Sequence, residues 1–173
     1  MGVNRDYVDK VADMVRNTLG LQVPMTLDSL LAAVSGKLPG RCVPKSEQEL
    51  GVDAQIVTLG EESFEIHFLE GRPDTRKLFS ISHELGHLFL HLLEKDGRLR
   101  TGAVCQRDMA QTRQELEANE FAAALLMPEE EFVDKCREYR KQNRINLTKV
   151  AEYFHVSVQA ATVRGNVIGL WQA

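Results

Sequence analysis

The sequence predicts an α+β fold, mostly helical, with a small antiparallel sheet and a helix-turn-helix-like segment at its C-terminal end. Three observations predict it. Apolar residues recur at helical spacing over most of the chain. The period drops to two only between Val52 and Leu69. The stretch from Asn146 to Arg164 carries two short helical patterns around a tight turn. At 173 residues the chain has room for one domain with a real core. The expected division is a main domain over 1–142 and a helix-turn-helix-like segment over 143–173, packed on it.

The elements follow in order. Val8, Val11, Ala12, Val15 and Leu19 form a helical stripe that Gly20 ends. Thr26 is a natural N-cap for a second helix with Leu27, Leu30, Leu31 and Val34 on its apolar face. The run 35–40 is rich in breakers and reads as a loop. Val52–Leu59 and Ser63–Leu69 read as strands, and Gly60-Glu61-Glu62 between them makes a hairpin. Phe64, Ile66 and Phe68 alternate with Glu65, His67 and Leu69, so His67 reads as a solvent-facing strand histidine. Asp74 is the expected cap of a long helix striped by Leu78, Ile81, Leu85, Leu88 and Leu92. A polar loop over 95–112 precedes a helix over 113–126. Leu116, Ala118, Phe121, Ala122, Ala124, Leu125 and Leu126 are expected to face inward from it. Pro128 opens a further helix to about 140, and Ser157 caps the second helix of the tail.

Composition excludes several classes. The formal net charge is −4, and the tail's charged residues are Lys149, Glu152 and Arg164. Both argue against direct nucleic-acid binding. No apolar run is long enough to span a membrane, and the N-terminus lacks the apolar core of a signal peptide. Met1-Gly2 opens like a myristoylation site, but position 6 is Asp. Cys42, Cys105 and Cys136 are widely spaced, without a C-x-x-C pair, and read as reduced thiols of a cytoplasmic protein.

The chemistry lies in the long helix, as His83-Glu84-Leu85-Gly86-His87. Residues four apart on a helix lie about 40° round the axis and about 6 Å along it. Both imidazoles can therefore share a metal, for which Zn²⁺ suits nitrogen and oxygen ligands. Glu84, about 100° from His83, is badly placed as a ligand and well placed to take a proton from water. A zinc peptidase needs a third ligand. The extended pattern with a third histidine is absent, because positions 90 and 93 are leucines. The carboxylate candidates are Glu94, Asp96, Asp108, Glu115, Glu117 and Glu120. Glu94 and Asp96 lie too far along the axis, and Glu120 looks more exposed. Periodicity leaves Glu115 and Glu117 undecided, since both border the buried face of their helix. His91, a further turn on, is expected to support the ligands from behind or to face solvent. For an oxyanion, His67, His91, Arg76 and the tyrosines are all conceivable, and nothing ranks them.

Phe79 to His91, together with Glu115-Leu116-Glu117-Ala118-Asn119-Glu120-Phe121-Ala122-Ala123-Ala124-Leu125-Leu126-Met127-Pro128, resembles the ImmA/IrrE family of metallopeptidases. The resemblance covers about residues 50 to 165. The family's usual Thr-Ile/Leu-Ala-His-Glu run is here Ser80-Ile81-Ser82-His83-Glu84, which leaves the metal motif intact. The resemblance implies a zincin-like, gluzincin-like domain with Zn²⁺ on His83, His87 and Glu117 and Glu84 as general base. It implies endopeptidase action on a helix-turn-helix, XRE-like repressor, which would derepress mobile-element or stress-response genes. The alternative is a non-proteolytic regulatory or toxin–antitoxin-type module that binds a repressor or DNA through the same fold. Longer relatives carry a C-terminal sensory domain, and none is expected within these 173 residues.

Overall fold

The computed structural model describes residues 3–101 and 109–171, the side chains of 109–112 excepted. Helix α1, Arg5–Leu19, buries its predicted stripe. Asn4 caps it by accepting the Tyr7 N–H, and Gly20 closes it in the left-handed region at φ +61°. In α2, Leu27–Lys37, Thr26 and Ser29 cap each other's backbone N–H reciprocally.

The sheet differs from expectation. Strands β2, Ala54–Thr58, and β3, Phe64–Leu69, form the predicted antiparallel hairpin. A further strand, β1, Gly40–Lys45, pairs parallel with β3, so the order is β1-β3-β2 and the sheet is mixed. Pro44 lies within β1, and an edge strand tolerates proline because one side of its backbone needs no partner. Phe64, Ile66 and Phe68 point into the core, and Glu65 and His67 point away from it.

Helix α3, Asp74–His87, starts one residue earlier than predicted, with Pro73 rather than Asp74 at the cap position. Its axis continues into a π-turn over Leu88–Leu92, closed by the Leu93 N–H donating to the Leu88 carbonyl at 2.8 Å. Helix α4, Met109–Leu126, packs along α3 on one side and α1 on another. Its Ala118, Phe121 and Leu125 are fully buried. Leu116 is not: it is 55% exposed, against the sequence expectation. It borders the apolar face, and the neighbouring positions of α4 are the ones that reach α3.

After α5, Glu129–Glu138, a short antiparallel hairpin joins β4, Arg140–Lys141, to β5, Arg144–Ile145. Gln142 and Asn143 take positive φ in its two-residue turn. The tail is α6, Leu147–Tyr153, then a capped turn, then α7, Val158–Val167. Val150, Ala151, Phe154 and Ala161 join one core with residues of α1 to α5. Arg164 is 1% exposed and donates to the Met127 carbonyl, to Glu120 at 2.8 Å and to Asp9 at 3.5 Å. It is therefore spent inside the protein and has no reach to phosphate. Among the described residues no helix is long and apolar enough to cross a membrane.

Candidate metal centre

The distance between α3 and α4 is set by small residues. A Cβ added at Gly86 would lie 2.9 Å from the Ala118 Cα and 3.2 Å from the Phe121 Cβ. The two backbones can approach this closely only because position 86 has no side chain and position 118 has a single methyl. Ile81 and Leu85 bury the adjoining face of α3. The His83 and His87 rings are thereby turned toward the first half of α4, with centroids 4.7 Å apart.

Across the gap stands Glu115. Its Oε2 lies 3.2 Å from His83 Nε2, and its Oε1 lies 3.3 Å from His87 Nε2. The two Nε2 atoms are 3.0 Å apart. Tetrahedral zinc with nitrogen and oxygen ligands at 2.0–2.1 Å separates neighbouring ligand atoms by about 3.3 Å. These side chains therefore fit a zinc ion without rearrangement, and they could hold one. One turn beyond Glu115, Asn119 Oδ1 accepts the His83 Nδ1–H at 3.0 Å. That bond leaves Nε2 as the lone-pair atom facing the gap.

The remaining candidates go elsewhere. Glu117, two residues from Glu115, is directed to Arg113 and His91 instead. It accepts from Arg113 at 2.8 Å, and its Oε2 is 4.0 Å from His91 Nε2. It is not brought to His83 and His87. Glu120 is paired with Arg164 and has only 11% of its side chain exposed, contrary to its exposed appearance in sequence. Glu94 pairs with Arg100 and Asp96 with Arg98. Asp108 lies outside the described residues, as does Cys105. Cys42 and Cys136 are free thiols, pushed up by burial to about 12 and about 11.

Glu84 sits beside the group without joining it. Its Oε2 accepts the Ile56 N–H of β2 at 2.9 Å, which fixes the carboxylate at the edge of the sheet. Burial pushes its carboxyl up to about 7, helped by the negative charge of Glu115 and opposed by the Ile56 bond. Burial pushes His87 down to about 3, and it lowers His83 and His91 as well. The imidazoles are therefore neutral at pH 7, the form in which they can bind a metal.

A cleft runs over this group. It is lined by 49–58 on one side and by Phe79, Ser80, His83, Glu84, His87 and His91 on the other. Arg76 and Arg100 also line it, but Arg76 is held by Asp53 and Arg100 faces Glu94. His67 is not among its lining residues and pairs with Glu65 at 2.8 Å. The tyrosines do not line it either. Sequence reasoning missed Asn119. Its signal was the Glu115-x-x-x-Asn119 spacing, which puts both side chains on the α4 face that meets His83.

Residues 65–166 match the family model of the M78 peptidases, described as the IrrE N-terminal-like domain. No curated protein sequence matches the chain. Among solved structures, a Mycobacterium tuberculosis transcriptional regulator is similar in fold, with a TM-score of 0.67 and 14% identity. The match covers 92% of this chain and 46% of that one, so the chain spans about half the length of that structure.

Proposed function

The chain belongs to the M78 peptidase family, with its IrrE N-terminal-like domain, and from that footing we propose that it is a zinc-dependent endopeptidase whose substrate is a helix-turn-helix transcriptional repressor. His83, His87 and Glu115 would hold the metal, with Glu115 rather than Glu117 as the third ligand. Bound there, zinc would supply Lewis acidity, acidifying water and polarising a carbonyl.

The observation that carries the proteolytic reading is Glu84. Zinc binding alone does not need a carboxylate at this position. Here it is buried at the cleft, pushed up to about 7 and braced by the Ile56 N–H. A carboxyl poised near neutrality can take a proton from water and return it to a leaving amine. Asn119 keeps the His83 ring in the correct tautomer meanwhile. Strand β2 is an edge strand whose free side borders the cleft. An extended peptide added to that edge would lie beside Glu84 and across the histidines. Cleavage of a repressor would relieve repression, in keeping with mobile-element or stress-response genes as targets.

The test is incubation of the zinc-loaded protein with a helix-turn-helix repressor encoded in an adjacent reading frame. Two fragments are expected from wild type. Glu84→Gln should slow cleavage by about 10²–10⁴-fold while zinc content stays unchanged. A Glu84→Gln variant that still cuts ends the general-base assignment. Wild type that never cuts the repressor, yet alters its DNA binding, replaces this reading with a non-proteolytic module. Metal analysis of Glu115→Ala and Glu117→Ala decides the third ligand: zinc should be lost from the first and kept by the second.

A further inference from the structure

His91 is the one histidine of the helix axis left without a role, and its position is unexpected. On a continuous α-helix it would overshoot a full turn from His87 by about 40°. That would carry it about 80° round from His83 and out of line with the metal group. The π-turn Leu88–Leu92 changes this. Each residue of a wider turn rotates less, so the four steps from His87 to His91 fall short of the overshoot. The ring swings back to the side His83 occupies, 5.5 Å from the His87 ring, with only 9% of its side chain exposed.

What it meets there is the backbone of α4. His91 Nε2 lies 3.3 Å from the Gln114 carbonyl oxygen. That carbonyl and the Glu115 N–H belong to a single peptide unit. An imidazole N–H donated to it therefore fixes the plane from which the Glu115 side chain departs. Glu117 Oε2, at 4.0 Å from the same nitrogen, flanks the contact and is itself tied to Arg113. The separations of 3.2 and 3.3 Å from Glu115 to the two histidines leave little room for α4 to slide.

We infer that His91 is a positioning residue, which pins the Gln114–Glu115 peptide through the π-turn so that Glu115 completes the metal centre. The inference rests on the reading of His83, His87 and Glu115 as ligands. It assigns His91 no bond to the metal.

The test is zinc affinity, measured by competition with a chromophoric chelator on the full chain, with the melting of the metal-free protein followed in parallel. His91→Leu fills the space and cannot donate, so it should weaken zinc binding by about 10–100-fold. His91→Gln carries an amide N–H that can reach the same carbonyl, and it should recover most of that loss. If His91→Leu does not fold cooperatively, His91→Ala takes its place in the comparison. Wild-type affinity in His91→Leu, or no recovery in His91→Gln, overturns the inference. So does a changed visible spectrum of the cobalt-substituted Gln variant, which would make His91 a ligand. Glu115→Ala is run alongside: if it binds zinc as wild type does, the metal-centre reading itself has failed, whatever His91 does.

Discussion

Glu115 and Glu120 stand five residues apart on α4, and the protein treats them in opposite ways. Glu120 is enclosed and meets Arg164, a cation supplied by the chain itself and fixed further by Met127 and Asp9. Glu115 keeps 44% of its side chain exposed and meets two imidazoles that burial holds neutral. The first carboxylate is complete as the chain folds. The second meets two imidazoles and no positive charge among the described residues, which leaves it open to a cation from solution. One helix thus carries a closed charge that serves folding and an open one that serves chemistry.

Removing the internal cation is the harshest way to break this contrast. Arg164→Leu should cost about 3–5 kcal/mol in urea unfolding, because Glu120 is left buried without its partner. Arg164→Leu with Glu120→Leu should recover most of it. The loss also has a pH signature. Burial already raises Glu120 above its ordinary 4.5 in spite of Arg164. A carboxyl raised in the folded state favours folding when protonated and loses that advantage as pH rises through its folded value. The penalty in Arg164→Leu should therefore shrink as the pH is lowered toward 4.5. A penalty that does not depend on pH would point to lost packing instead.

Supplying the external cation sharpens the contrast from the other side. Zinc at about a hundred times its dissociation constant should stabilise wild type by about 2.7 kcal/mol, read as a rise in melting temperature. Glu115→Gln should show no such rise, and Arg164→Leu, once folded, should still show it. A smaller effect is expected from Gly86→Ala. Its methyl would press on Ala118 and should cost about 1–3 kcal/mol through overpacking, while weakening zinc binding by widening the gap. Smallest is Ser82→Ala. The Ser82 hydroxyl is buried with no hydrogen-bond partner among the described residues. Its removal should raise stability by about 1 kcal/mol, with zinc affinity unchanged.

Local patterns made much of this legible. The histidine pair, its neighbouring glutamate and the apolar stripe of α3 are all set by spacing within one helix, and the hairpin by alternation and its glycine. The features that escaped depend on contacts far apart in sequence. Glu120 reads as exposed until Arg164, from α7, folds over it. Glu115 and Glu117 are equivalent by period, and the close approach at Gly86 and Ala118 decides which one faces α3. Strand β1 rests on a parallel pairing that no turn announces. The π-turn that redirects His91 adds a residue to a helical turn without any breaker in Leu88–Leu92 to mark it.

The contact between Gly86 and Ala118 has a consequence for selectivity. It makes the spacing of the ligands a property of two backbones rather than of flexible side chains. Ions differ in radius and in the ligand separation they prefer. A graded series at these two positions, from glycine through alanine to serine, would act as a caliper on the centre. Each step would open the jaws by a fraction of an ångström and shift preference from a small tetrahedral ion toward larger ones with more ligands. The identity of the metal would then be written in residues that never touch it.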